Sequence, residues 1–350
     1  MEPTILSESS TYKGLDLFKL IMAFFIVAIH SGLFTDLNGE LAFVTIQVFA
    51  RMGVPFFFIA SGFFFSKGLA KRGPDAPAYL GRYEKKLLGL FAFWSLVMLA
   101  FWVRNGLRAH GFGREFALRL AQTVAFDPGV FWYLLALVVS SLFAYPFIRR
   151  GKGALLFAIA CLFYVFGCFG DSYYGLVKDA PVLGDLYRAY FSLFVHARHG
   201  LPFGLFFFSL GHLFARDEGR LALRKLPLLA VFALSLALRY LELRFLRERG
   251  WALDNSISLF AALPAVLLFL LAYNLEPRIG EGTSRGLRTL SSTIFFSHQL
   301  MLELVILFVE LSRIQVTASL RFLVASLLCV LLFLAVRAGR SEFLKRMING

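Results

Sequence analysis

Lys19 and His30 stand eleven positions apart in LDLFKLIMAFFIVAIH (residues 15–30), where Asp16 is the one acid. An α-helix turns about 1100° over that separation, three turns plus about 20°, so the two side chains share a face roughly 16 Å apart along the axis. Asp16, three residues before Lys19, falls on the same face and can neutralise or orient it. Ionisable groups in apolar spans cost about 2.5–3.5 kcal/mol on insertion scales and are normally tied to a cavity or a partner. Imidazole titrates near neutrality and suits general-base work, which makes His30 the candidate base on one stripe with the Lys19 cation. A structural alternative stays open: Lys19 snorkels to the interface and His30 bonds a neighbouring helix.

The next apolar run, FVTIQVFARMGVPFFFIASGFFFSKG, holds Arg51 too deep for easy snorkelling. Gly53 and Pro55 break the helix there and free backbone groups, while Ser61-Gly62 permits close helix approach. Arg51 beside broken backbone suggests an anion or oxyanion site; a buried pair with Asp16 or Glu303 is the alternative. His298, followed by Glu303, is a second histidine candidate, or a helix-packing residue. His196, Arg198, His199 and His212 crowd one segment, but their spacing matches no strong zinc pattern and H-E-x-x-H is absent, so no metal is expected. The segment 67–88 is expected as a cytoplasmic loop and carries six bases, of which Arg82 and Lys85 offer phosphate donors. Loop charge bias or anionic lipid contact explains the same residues. Cys161, Cys168 and Cys329 lie in apolar segments and read as packing residues.

These residues need elements that hold them in an apolar medium. Of 350 residues, 59% are hydrophobic and 17% charged, with a mean hydropathy of +0.72; soluble domains run about 45–50% and about 25%. That composition excludes a soluble globule and a disordered tail. Ten spans are expected, near 15–34, 41–66, 87–103, 130–148, 153–170, 191–214, 226–246, 256–275, 289–310 and 318–338. Pro202 interrupts the sixth, and the longest connection is 104–129. The reading is an all-α polytopic membrane helix bundle, one domain over 1–350, with a cytoplasmic N-terminal segment 1–14 and a cytoplasmic tail 339–350. Alternate loops carry 21 against 11 Lys and Arg, which puts both termini in the cytoplasm. The same bias accounts for the net charge of +14 without nucleic acid. No removable signal peptide is expected in the first run.

The motifs resemble the membrane acyltransferase-3 family, which includes O-acyltransferases for bacterial surface polysaccharides. Leu-Asp, a base, ten residues and a His are matched by Asp16, Lys19 and His30. RMGVPFFFIASGFFF is similar to the family's Val-Pro-Phe-Phe…Ser-Gly stretch and carries Arg51, Pro55, Ser61 and Gly62. YLGRYEKKLLGLFAFWS, GVFWYLLALVVSSLFAYP and STIFFSHQL resemble, in order, the basic entry to the third helix, a Trp-bearing fourth helix and a late helix with its own His. Two departures stand out. Lys19 replaces a commoner Arg and loses its bidentate fork, and Arg82-x-x-Lys85 with Gly89-Leu90 replaces Arg-x-x-Arg and a following Pro.

The resemblance implies a multi-pass protein of the bacterial cytoplasmic (inner) membrane. It would move an acyl group, acetyl from cytoplasmic acetyl-CoA, to a hydroxyl of a surface glycan or lipid-linked sugar. His30 would be the base or acyl acceptor, Arg51 the oxyanion donor, and Lys19, Arg82 and Lys85 the holders of the CoA phosphates. The extracytoplasmic hydrolase-like domain fused to some relatives is not expected here, so transfer would finish within the bundle or on a partner. The rival is a transporter of a small solute such as an amino acid, because related membrane segments occur fused to amino-acid racemases. A scaffold explains His30 and Arg51 poorly.

Overall fold

A computed structural model describes residues 12–126 and 128–349. Among them there is helix and no strand. In chain order the helices are α1 (Lys13–Ser31), α2 (Gly39–Phe43), α3 (Gly53–Arg72), α4 (Ala76–His110), α5 (Arg114–Phe126), α6 (Trp132–Arg149) and α7 (Gly153–Gly170). They continue with α8 (Tyr174–Val177), α9 (Pro181–Leu193), α10 (Leu201–Arg216), α11 (Lys225–Arg249), α12 (Ala262–Tyr273), α13 (Glu281–Ser312), α14 (Ala318–Ala338) and α15 (Glu342–Asn349).

Among the described residues seven segments are long and apolar enough to cross a membrane: 13–31, 39–110, 114–149, 153–170, 225–249, 281–312 and 318–338. They take in eight of the expected spans, because 39–110 turns at Gly73–Asp75 into two helices. The other two, 191–214 and 256–275, contain shorter apolar helices, Leu201–Arg216 and Leu259–Tyr273. Leu96, Leu162 and Leu226 are each more than 70% exposed on the outer face, where a bilayer rather than water is their natural solvent.

Chain chemistry explains the helix ends that matter. α1 stops at Gly32, which takes the left-handed conformation at φ +71° and donates its N–H to Ala28 and Ile29 carbonyls. Ahead of α3 the chain passes through a π turn (Val44–Phe49) and a 3-10 turn (Ala50–Met52). Pro55 has no N–H for the carbonyl four residues back, so regular α geometry cannot run through Arg51. The break expected at Gly53 and Pro55 is thus a distortion within a continuous helical path.

The structure departs from the sequence reading at Pro202 and over 67–88, and it gives form to 104–129 and to the tail. Pro202 does not interrupt a helix: α9 ends at Leu193 and Pro202 sits in the first turn of α10, where its missing N–H costs nothing. His196, Arg198 and His199 therefore lie on the connecting loop. The connection 104–129 is largely helical, formed by the end of α4 and by α5. The stretch 67–88 is helix apart from the turn at 73–75, so Arg82 and Lys85 stand on α4. The tail 339–350 contains α15, docked through Trp94 Nε1–H to the Met347 carbonyl at 2.9 Å and a Phe93–Phe343 ring contact. Of the segment 1–14, residues 1–11 lie outside the described residues.

The core centres on α3 against α10. Phe56, Phe58, Phe63 and Phe65 of α3 and Phe207 and Phe208 of α10 are 0–1% exposed. The helices meet backbone to backbone: a Cβ on Gly62 would lie 2.0 Å from the Phe208 carbonyl oxygen, and one on Gly211 2.1 Å from that of Ile59. Small residues permit this approach. Gly62→Val is expected to destabilise the fold by about 3 kcal/mol through overpacking, read as a lower unfolding temperature in detergent; an unchanged midpoint would refute that contact.

Candidate functional site

α1 and α13 run side by side and bring the chemistry together at both ends. At the Lys19 end, the carboxylate of Asp16, 1% exposed, accepts from Arg288 Nε (2.9 Å) and Nη2 (2.8 Å) and from Ser284 Oγ (2.8 Å). Lys19 Nζ is farther away at 3.9 Å and lies 4.5 Å from the centre of the Phe64 ring. The main partner of Asp16 is therefore Arg288, which the sequence places in a basic loop. The string GTSRG (282–286) has the spelling of a serine-hydrolase elbow, but it opens α13 with no strand before it. Ser284 is buried and committed to Asp16.

Beside Lys19 opens a cavity of about 290 Å³. Lys19, Lys86 and Arg288 give it three cations, Ser61, Tyr83 and Tyr133 are polar, and Leu87, Leu90, Leu134 and Phe295 line its apolar depth. Ser61 Oγ and Tyr133 Oη are hydrogen-bonded at 3.0 Å. Residues 83, 86, 87 and 90 follow helical spacing on one face of α4. Arg82 and Lys85 are exposed and fall outside the lining.

At the opposite end, His30 in the last turn of α1 is exposed into a second cavity of about 260 Å³. Its ring centre is 5.3 Å from that of His298, which is 0% exposed. His298 Nδ1 lies 2.7 Å from the Phe295 carbonyl and 3.1 Å from that of Ile294. Carbonyl oxygens only accept, so Nδ1 carries the hydrogen and Nε2 the lone pair in the neutral ring. Among the described residues Nε2 has no hydrogen-bond partner. Glu303, in contrast, is half-buried, within 3.4 Å of Gln299 Nε2, and lines neither cavity.

Arg51 pairs with neither Asp16 nor Glu303. It binds Asp254, Nη2 to Oδ1 at 2.9 Å, and contacts Ser256 Oγ. Arg198 makes an ion pair with the same carboxylate and reaches Ser256 Oγ at 3.3 Å. Burial pushes the Asp254 carboxyl up, but Arg51 and Arg198 outweigh it and hold the group well below the usual carboxylate range. Two buried acids fasten the loop that carries Asp254. Asp171 accepts the backbone N–H groups of Asp254 (2.9 Å) and Ile257 (2.7 Å). Glu242, paired with the 2%-exposed Arg239 at 3.1 Å, accepts Phe260 N–H at 3.1 Å.

The three histidines around the sixth span do not converge. His196 and His199 lie near Trp132 at the His30 end, whereas His212 Nδ1 meets Ser66 Oγ at 3.0 Å at the Lys19 end. Among the described residues no three His, Cys, Asp or Glu side chains gather as ligands. The sequence reading missed Asp254, Ser256, Lys86 and Tyr133. The signal for Asp254 was indirect: Arg51 and Arg198 both required a counter-charge.

The two cavities approach along α3, where Val54 borders one and Phe57, one turn on, borders the other. Phe57 and Phe295, with ring centres 5.3 Å apart, stand between them.

A family model described as an acyltransferase domain matches residues 12–338. An amino-acid racemase of Enterococcus faecalis is 32% identical over 209 residues, covering 59% of this chain and 28% of the racemase. A second amino-acid racemase of that species is 27% identical over 297 residues (83% and 41%), and a serine/alanine racemase of Enterococcus gallinarum 30% over 268 (74% and 36%). The chain spans less than half the length of these curated relatives. No solved structure matches. The family match takes in Asp16, Lys19, His30, Arg51 and His298 together, and the chain belongs to the acyltransferase-3 family, a family of acyltransferases.

Proposed function

We propose that the protein is a multi-pass O-acyltransferase of a bacterial inner membrane. It takes an acyl group, acetyl by family analogy, from cytoplasmic acyl-CoA and passes it to a hydroxyl of a surface glycan or glycan precursor. The observation that carries this reading is the His30–His298 pair, with ring centres 5.3 Å apart, at the cavity that His30 lines. The loop-charge bias assigns the Lys19 end to the cytoplasm.

Lys19, Lys86 and Arg288 hold the donor's phosphates at the mouth of the first cavity, and its apolar depth takes the pantetheine arm. The thioester reaches His30 past the Phe57–Phe295 contact. The lone pair of His298 Nε2 takes the N–H of His30 once the ring turns toward it in the reaction, which leaves the other imidazole nitrogen free to take the acceptor's hydroxyl proton. The alkoxide attacks the thioester carbonyl, Arg51 steadies the oxyanion, and the thiol leaves with the proton carried by His30. An acyl-His30 intermediate differs only in that the imidazole attacks first.

Purified protein incubated with labelled acetyl-CoA and a glycan acceptor tests the reading, with acyl transfer as the expected result. Within that assay Lys86→Ala is expected to raise KM for acyl-CoA about tenfold, the loss of one charge-assisted contact, while Arg82→Ala and Lys85→Ala leave it within about twofold. Equal effects from all three would return the phosphate site to the exposed face of α4. A second reading is uptake through the two cavities of an amino acid, the class of molecule for which the racemase relatives are named. Solute accumulation in vesicles without acyl-CoA would select it.

A further inference from the structure

A third cavity, of about 500 Å³, opens at the Lys19 end where the last turns of α3, α6 and α10 meet. None of its lining residues lines the donor cavity or the His30 cavity. The geometry points to a second, separate binding site, for a phosphate group carried on a partly apolar body.

Four bases line the cavity, Lys67, Lys71, Arg149 and Arg216, and among the described residues no carboxylate does. Bases in a last turn offset the helix's own C-terminal carbonyls. Two of the four also have acids: Lys67 pairs with Glu218 at 2.6 Å, and Arg216 spends Nε and Nη2 on Asp217. Donors remain after both. Arg216 keeps Nη1, and Arg149 gives Nη1 to the Gly73 carbonyl at 3.0 Å but keeps Nε and Nη2. Lys71 has neither ion pair nor hydrogen bond among the described residues. Charge-assisted donors from three helices around one space are what a phosphate's several oxygens require.

The inner wall is polar as well. Ser66 and His212, both more than nine-tenths buried, are hydrogen-bonded through Nδ1 at 3.0 Å. Nε2 rests against the start of α7: a Cβ on Gly153 would lie 2.8 Å from it and 3.5 Å from Arg216 Nη1. That glycine brings the first turn of α7, which has no side-chain cap, up to His212 and Arg216, and a helix start favours an anion. Leu69, Ile148 and Ala215 complete the lining. The volume falls within the usual ligand range of about 300–1,000 Å³ and exceeds what inorganic phosphate fills, so the apolar wall is left for the rest of an ester. Basic pockets between spans suit phospholipid headgroups; a free phosphate offers the same oxygens.

Native mass spectrometry of the purified protein, titrated with phosphatidylglycerol or phosphatidylcholine, tests the lipid source, and calorimetric titration with sodium phosphate tests the free one. Phosphatidylglycerol is expected to bind at least about tenfold tighter than phosphatidylcholine, two or more bases acting on one net charge. Lys71→Gln is expected to cut that preference about fivefold, the worth of one base, whereas Lys225→Gln, outside the cavity, leaves it intact. Lys71 is exposed and unpaired, and should it be needed for folding, Ala70→Glu, which sets a carboxylate among the bases, takes its place with the same expected loss. Phosphate binding that Lys71→Gln abolishes, without a lipid preference, identifies the ligand as free phosphate; the lipid preference alone identifies a headgroup. Equal binding of the two lipids with no phosphate heat overturns the inference, as does a preference that Lys225→Gln lowers as much as Lys71→Gln.

Discussion

His30→Ala is expected to lower acyl transfer by about 10³-fold, within the range of about 10²–10⁴ that a positioned acid–base group contributes. The variant should still insert and fold. His30 is the penultimate residue of α1 and is exposed into a cavity, so its truncation opens no hole in the core. Substitutions of that kind generally stay within about 0.5 kcal/mol of the parent. Labelled acetyl transfer, with detergent melting as the folding control, reads both quantities. Near-normal transfer by a well-folded His30→Ala protein would remove His30 from the mechanism. His298→Ala, which deprives His30 of its neighbour without touching either substrate, should fall between parent and His30→Ala and shift the pH–rate profile.

Much of this pair was legible in the chain. Ionisable residues are rare in apolar runs, and helical periodicity alone puts Lys19 and His30 on one face. The same logic marked Arg51 as tied to a partner, but not which partner. Asp254 sits in a connection with no periodicity, about 200 residues along the chain, and its position depends on Asp171 and Glu242 clamping that loop. Helix phase was a second blind spot. Arg82, Lys85 and Lys86 are chemically alike, and only the packing of α4 against α3 and α6 turns Lys86 to the cavity and its neighbours away. Pro202 was read as a break in a long span, yet proline serves equally as a helix's first turn; burial of Phe203, Phe207 and Phe208 against α3 settles the choice.

Removing the partner of Asp16 should cost more than removing Asp16. The carboxylate is 1% exposed, whereas the side chain of Arg288 is 49% exposed. Arg288→Ala strands a buried charge with Ser284 and a cation at 3.9 Å as its remaining company, and is expected to destabilise by about 3–5 kcal/mol. Asp16→Ala instead releases Arg288 to water and leaves one buried hydroxyl unpaired, at about 1–3 kcal/mol. The double variant should be more stable than Arg288→Ala alone, because it removes the stranded charge. Melting midpoints of the three proteins check the order, and a milder loss in Arg288→Ala than in Asp16→Ala would contradict it. The consequence reaches the chemistry, since Asp16 and His30 share α1 while Arg288 and His298 share α13. A pair that fixes these helices at one end also fixes how the two imidazoles meet at the other. Arg288→Ala should therefore lose acyl transfer even where the protein remains folded, and the double variant should recover stability without recovering turnover.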